Sequence, residues 1–216
     1  MARITAIEAQ KKNPERVNVY LDGEFAFGLA RIVAGWLQVG QTLTPDKIAQ
    51  LQVEDKREAA YQQALLFLSY RPRSLSEIRQ NLRKHQLAEA LIEDTLDRLQ
   101  QQGLANDEQF ARAWVENRNN FRPRSRRALR VELHQKGLDG ELIEAVLDEN
   151  VDDEALAYQA ALLRVHKLEG LEWPDYRRKL SDFLARRGFP YSIISPTVRK
   201  VWDDSQRENG EINSGR

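Results

Sequence analysis

Arg71-Pro72-Arg73-Ser74 returns as Arg122-Pro123-Arg124-Ser125, and Trp173-Pro174 falls in the same frame, so three of the seven prolines stand 51 residues apart. Carried along at that offset, apolar residues land on apolar residues: Ile78, Leu129, Leu180; Leu82, Leu133, Leu184; Leu87, Leu138, Phe189; Leu91, Leu142, Ile193; Ile92, Ile143, Ile194; and Leu96, Leu147, Val198. A chain that repeats its apolar pattern at a fixed period is built from stacked units, not around one pocket. Units of about 50 residues lie near the lower limit of independent stability, so each must lean on its neighbours.

Within each unit the periodicity is helical. In the first, Ala60, Ala64, Leu65 and Leu68 mark one helix, and Ser74 with Glu77 forms a capping box that opens a second. Leu91, Ile92, Thr95, Leu96 and Leu99 form the apolar stripe of a third. Gly137 and Gly188 stand where the middle helices end and a left-handed residue is needed; the first unit has Gln86 there. The third unit lacks the capping serine, and Asp175 is expected to cap in its place. Trp36, Trp114, Trp173 and Trp202 are read as packing residues rather than as stacking platforms for bases.

The N-terminal stretch reads differently. Ile4 to Ala9 alternates loosely, Asn13-Pro14 signals a turn, and Val17, Val19 and Leu21 alternate with polar residues up to Asp22-Gly23, a dipeptide suited to a two-residue hairpin turn. Phe25, Phe27 and Leu29 resume the pattern. The expectation is an antiparallel β-meander of about three strands, marginal alone, covered by a short helix around Ile32 to Leu37 and another after Thr44-Pro45. The predicted fold is mainly α: an elongated tandem array of three three-helix repeats with a small N-terminal antiparallel β-meander. Its divisions are 1–53 for the meander and short helices, 54–103, 104–151 and 152–202 for the repeats, and 203–216 for a polar, disordered tail.

Lysine and arginine together equal aspartate and glutamate at 33 each, so the total charge points to no partner. Its layout does. Arg112, Arg118, Arg122, Arg124, Arg126, Arg127, Arg130 and Lys136 stand against only Glu116 and Glu132, and the following stretch from Asp139 to Glu154 is acidic without a lysine or arginine. Arg177, Arg178, Arg186 and Arg187 occupy the corresponding part of the third unit, and Arg71 and Arg73 that of the first. Cations at a helix start oppose the helix dipole, which suggests a role other than helix stability. The candidate contact residues for phosphates or an acidic protein are Arg71, Arg73, Arg118, Arg122, Arg124, Arg126, Arg127, Arg130, Lys136, Arg177, Arg178, Arg186 and Arg187.

Catalytic, cofactor and metal chemistry find little support. There is no cysteine; His85, His134 and His166 occupy non-equivalent positions in the repeat frame; and the glycines do not form a phosphate loop. The acidic run lacks the ligand alternation and central glycine of a calcium loop. No apolar run approaches the roughly 20 residues that span a bilayer. A cytoplasmic monomer without cofactors is expected.

Ala64-Leu65-Leu66-Phe67-Leu68-Ser69-Tyr70-Arg71-Pro72-Arg73-Ser74, followed by Glu77-Ile78 and Leu82, resembles the first repeat of the regulatory protein RecX family. The second unit is similar too, with Leu104-Ala105-Asn106-Asp107-Glu108-Gln109-Phe110-Ala111, Trp114-Val115, Arg118, Arg124-Ser125, Leu129, Leu133 and Lys136-Gly137-Leu138. Asn106 departs from the aspartate often found there, though both can cap a helix. The resemblance runs from about Asp55 to Trp202, and Phe25-Ala26-Phe27-Gly28-Leu29 is similar to the N-terminal extension of some members. It implies a non-enzymatic modulator that binds the RecA recombinase or its filament on single-stranded DNA. Such a protein restrains filament growth, homologous recombination, ATP hydrolysis and co-protease activity in DNA repair and the SOS response. Weak direct DNA contact is compatible with that role. Two alternatives stay open: a DNA-binding helical module acting without RecA, and a structural adaptor.

Overall fold

The computed structural model describes residues 1–214, with side chains through Arg207. Strands β1 (Ala2–Gln10), β2 (Asn13–Leu21) and β3 (Glu24–Ala30) form an antiparallel meander, and β4 (Thr42–Leu43) adds to the far edge of β1, giving the order β3-β2-β1-β4. Asp22 and Gly23, at φ 50° and 92°, close the β2–β3 turn in the doubly left-handed geometry that matches strand twist. Asn13-Pro14 is not the first turn. Gln10 pairs with Asn13, so Lys11-Lys12 form the loop and Asn13 already belongs to β2. Ile4, Val17, Val19, Phe27 and Leu29 close on Ala34 of α1 (Arg31–Ala34), Leu43 and Leu51.

Helix α2 (Pro45–Ser69) departs from the expected division at residue 53, because one 25-residue helix runs through it. Thr44 accepts a hydrogen bond from the Lys47 N–H at 3.2 Å and Pro45 occupies the first turn, where its missing N–H is harmless. Nothing interrupts the helix until Arg71-Pro72, where a residue preceding proline disfavours helical backbone. Leu51 therefore serves the sheet's core, whereas Tyr61 and Ala64 serve that of the first repeat. Asp55 ties α2 to the sheet, accepting from the Ala30 N–H at 2.6 Å and Arg16 Nη2 at 2.8 Å.

The first repeat is completed by α3 (Leu75–Lys84) and α4 (Glu89–Gln101). The second comprises α5 (Asp107–Phe121), α6 (Arg126–Gln135) and α7 (Gly140–Asn150), and the third α8 (Asp153–Val165), α9 (Trp173–Arg186) and α10 (Tyr191–Ser214). The chain is mainly α, with three three-helix repeats in tandem after a small antiparallel sheet. Two compact units emerge, one ending at Ala105 and one starting at Asn106.

Local chemistry explains the repeated plan. Ser74 and Glu77 form the expected reciprocal capping box, and Ser125 accepts from the Ala128 N–H at 3.2 Å. Gln86, Gly137 and Gly188 all take left-handed backbone, at φ 59°, 77° and 92°. Ile78, Leu129 and Leu180, like Leu82, Leu133 and Leu184, have 0% exposure in their respective cores. Truncating any of them to alanine leaves a cavity at a cost of about 2–5 kcal/mol.

The third repeat departs from its frame at both ends. Helix α9 starts at Trp173, about a turn early, with Pro174 inside its first turn. Without a serine to cap two residues later, the fixed φ of Pro174 lets the helix extend back. Asp175 does not cap it; its carboxylate accepts from Arg178 at 2.9 Å, and Glu172 stands at the N-cap without a side-chain hydrogen bond. The expected disordered tail is instead a continuation of α10 to Ser214. Tyr158 donates to Asp204 at 3.0 Å, and Trp202 sits 5.4 Å from Trp173 and 4.8 Å from Tyr176, centroid to centroid. Residues 215–216 of that tail lie outside the described residues. Trp114, Trp173 and Trp202 pack as expected, whereas Trp36 is 89% exposed just beyond α1.

Candidate interaction surface

The basic block of the second repeat is threaded through the fold. Pro123 and Ser125 are buried, and the loop carrying them docks on the end of α9: the Ser125 N–H donates to the Arg187 carbonyl at 3.1 Å, and Arg187 Nη1 donates to the Pro123 carbonyl at 3.0 Å. Burial, followed by the proximity of Arg124 and Arg122, holds the Arg187 guanidinium below its ordinary value. Its ring partner is Phe183, 4.8 Å from the guanidinium carbon. Arg187 is therefore a clasp between the second and third repeats.

Glu132 gathers two more cations. Arg118 Nε and Trp114 Nε1 both donate to its Oε2 at 2.8 Å. Arg124 Nη1 lies 2.8 Å from Oε1 in ion-pair contact, without hydrogen-bond alignment. Lys136 Nζ stands 5.0 Å from the centroid of the same indole, with Arg118 also over it at 4.5 Å.

Helix α7 takes the next pair. Arg126 contacts Glu144 at 3.1 Å and also Asp148, while Arg130 makes a two-pronged contact with Glu144. Hydrogen bonds from Arg130 first, and from Arg126, hold the Glu144 carboxyl at about 2. The Arg126 guanidinium is raised by Asp148 and then Glu144, and that of Arg130 by Glu144. These arginines are thus used by the fold, contrary to the reading that helix stability had no use for them: their carboxylates sit on the neighbouring helix and outweigh the unfavourable dipole at the start of α6.

Arg122 and Arg127 are different. Both are exposed and have no ion-pair partner among the described residues. In the first repeat, Arg71 pairs with Glu77 at 3.0 Å, and Arg73 lies over Phe67 at 4.0 Å with its guanidinium lowered by burial first and by Arg71 second. In the third, Arg177 donates to the Tyr191 hydroxyl at 3.2 Å and Arg178 pairs with Asp175, while Arg186 is exposed with no ion-pair partner among the described residues. The structure brings Arg122, Arg124 and Arg187 together, joins Arg118 to Arg124 through Glu132 and Lys136 to Arg118 over Trp114, and gathers Arg126 and Arg130 on Glu144; the candidates of the first and third repeats other than Arg187 have separate partners or none among the described residues.

Sequence reasoning missed the carboxylates that neutralise these cations. A signal was available in the repeat frame: Arg79–Glu93 and Arg130–Glu144 have the same 14-residue separation and occupy equivalent positions. It also missed Arg199, which lies beside Trp173 in the third repeat. Among the described residues, no cluster of three His, Cys, Asp or Glu side chains is placed to hold a metal, and no helix is long and apolar enough to cross a membrane.

Four domain models of one family match the chain in succession. The regulatory protein RecX N-terminal domain matches residues 2–44, and the first, second and third RecX three-helix domains match 60–99, 106–147 and 152–197. The chain is 33% identical to regulatory protein RecX of Bacillus pumilus (strain SAFR-032), covering 98% of this chain and 82% of that protein. It is 31% identical to the Bacillus subtilis (strain 168) regulatory protein RecX, with coverages of 98% and 80%. A crystal structure of regulatory protein RecX superposes with a TM-score of 0.70 at 29% identity, covering 93% of this chain and 100% of that one. The RecX crystal structure from Lactobacillus salivarius has the same fold, with a TM-score of 0.59 at 23% identity over 68% of this chain and 97% of that one. With its sheet and all three helical repeats matched in order, the chain belongs to the RecX family of regulatory proteins.

Proposed function

We propose that this protein is a non-enzymatic regulator of the RecA recombinase that binds RecA, or its filament on single-stranded DNA, and restrains filament growth, recombination, ATP hydrolysis and co-protease activity. The observation that carries this reading is family membership over nearly the whole chain, under the name of a regulatory protein. The tandem repeats support it physically, because linked modules add weak contacts into a strong one when the partner is itself a repeating filament. Arg122 and Arg127 lead the proposed contact surface, since their guanidiniums are exposed and not neutralised by a carboxylate among the described residues. Arg118, Arg124, Arg126 and Arg130 contribute mainly by shaping that surface.

RecA-dependent ATP hydrolysis on single-stranded DNA, titrated with the protein, tests the reading. Hydrolysis is expected to fall as the protein approaches the filament concentration. The Arg122→Ala/Arg127→Ala variant is expected to need about tenfold more protein, equivalent to about 1.4 kcal/mol. Hydrolysis unchanged at stoichiometric wild-type protein would overturn the RecA assignment; full activity of the double variant would overturn only the contact surface.

A further inference from the structure

Each repeat lays a row of its middle helix against a row of its third helix. In the first, Arg79 and Arg83 on α3 meet Glu93 and Glu89 on α4, with Arg79 Nε donating to Glu93 at 2.9 Å and Arg83 Nη2 to Glu89 at 2.6 Å. In the second, Arg126 and Arg130 meet Glu144 and Asp148. Moving on by one 51-residue period replaces Arg130 by Ser181, Glu144 by Ser195 and Asp148 by Arg199, while Arg126 becomes Arg177. The third repeat has lost both carboxylates from this junction and gained a guanidinium on the opposite wall.

What remains is a groove of about 340 Å³, with Trp173, Arg177 and Ser181 along α9 and Tyr191, Ser195 and Arg199 along α10. Each trio is spaced four residues apart, so its members share one helix face. Arg177 and Arg199 stand on opposite walls of the groove, which also presents the hydroxyls of Ser181, Tyr191 and Ser195. Arg177 donates to the Tyr191 hydroxyl at 3.2 Å, and its hydrogen bond, followed by that of Ser195, lowers the tendency of this phenol to hold its proton. Arg199 lies 5.3 Å from the Trp173 ring and donates through Nε to Asp203 at 3.3 Å. Asp175 is engaged by Arg178.

Two guanidiniums and three hydroxyls in one groove form a donor set suited to a tetrahedral oxyanion, and arginine, serine and tyrosine are among the side chains that contact nucleic-acid phosphates. A strand suits the site better than a small anion because the groove also presents an exposed aromatic ring. Tyr191 is 65% exposed and offers a ring to an unstacked base. We propose that the groove between α9 and α10 is a phosphodiester-binding site for single-stranded nucleic acid, with Arg177 and Arg199 clamping one phosphate and Tyr191 stacking against an adjoining base. This inference goes beyond the RecA-directed reading and is tested without RecA.

The probe is a fluorescein-labelled oligothymidylate, followed by fluorescence anisotropy over a salt series with the full-length protein. Wild-type affinity is expected to fall with salt, with a slope of about −0.7 for each phosphate neutralised. Ser181→Arg/Ser195→Glu installs the ion pair of the other repeats and is expected to weaken binding about tenfold with a shallower slope. Arg199→Gln, a change at an exposed side chain, is expected to act in the same direction. Tyr191→Phe should bind within about twofold of wild type, whereas Tyr191→Ala should bind roughly fivefold more weakly. Wild-type affinity in both Ser181→Arg/Ser195→Glu and Arg199→Gln, with helical circular dichroism retained, overturns the proposal. So does competition by inorganic phosphate as effective, per phosphate, as that by unlabelled oligothymidylate. Loss of binding to a polyglutamate peptide in these variants, with oligothymidylate binding intact, would identify a carboxylate site and overturn it as well.

Discussion

At the residue scale, a charge matters by what reaches it. Glu132 is 13% exposed at its side chain and holds Arg118, Arg124 and the Trp114 indole together. Glu132→Ala leaves those donors without their shared acceptor and is expected to lower stability by about 2 kcal/mol in urea unfolding. Glu144 is the acid-sensitive counterpart. Its folded value of about 2 lies below the ordinary 4.5, so its stabilisation is complete above the ordinary value and is lost as pH falls towards about 2. Glu144 and Arg130 are 42% and 39% exposed, and solvent screening limits the effect to about 1 kcal/mol or less. The stability gap between wild type and Glu144→Gln should accordingly close across that acidic window; a gap independent of pH would contradict this assignment. Gln86 carries a different burden, since its φ of 59° is strained for a residue with a Cβ. Gln86→Gly is expected to raise stability by up to about 1 kcal/mol, read as a higher melting temperature.

At the element scale, the junction of α6 with the end of α9 depends on a missing side chain. A Cβ on Gly188 would come within 2.6 Å of Ser125 Oγ and 2.8 Å of Ala128 Cβ, and its φ of 92° is closed to alanine. Gly188→Ala is expected to cost at least about 2 kcal/mol and to release the Arg187 clasp, measured by urea unfolding and by amide exchange at Ser125. The need for glycine at this position was legible from helix-ending chemistry, but the close approach of Ala128 was not, because the two residues meet only after the repeats pack. The same distinction separates α2 from its expected division. The Thr44-Pro45 start could be read locally, whereas the use of one helix by two cores depends on Leu51 and Tyr61 facing different neighbours.

At the scale of the whole molecule, equal numbers of cationic and anionic side chains leave no net charge to keep copies apart near neutrality. Solubility is therefore expected to be lowest near neutral pH in dilute buffer and to rise with added salt, as light scattering would detect; falling solubility with moderate salt would be the contrary result. The repeat also gives this neutral chain a means of local specialisation. Its cores keep Ile78, Leu129 and Leu180 fully buried, while the surface junction changes from ion pairs in the first two repeats to an acid-free groove in the third. Period, caps and left-handed helix ends could be deduced from the amino-acid order alone, because each arises from backbone and apolar requirements spanning a few residues. Which arginines of α6 are available was decided by tertiary structure: α7 brings carboxylates within reach of Arg126 and Arg130, whereas none among the described residues reaches Arg127, which is left exposed.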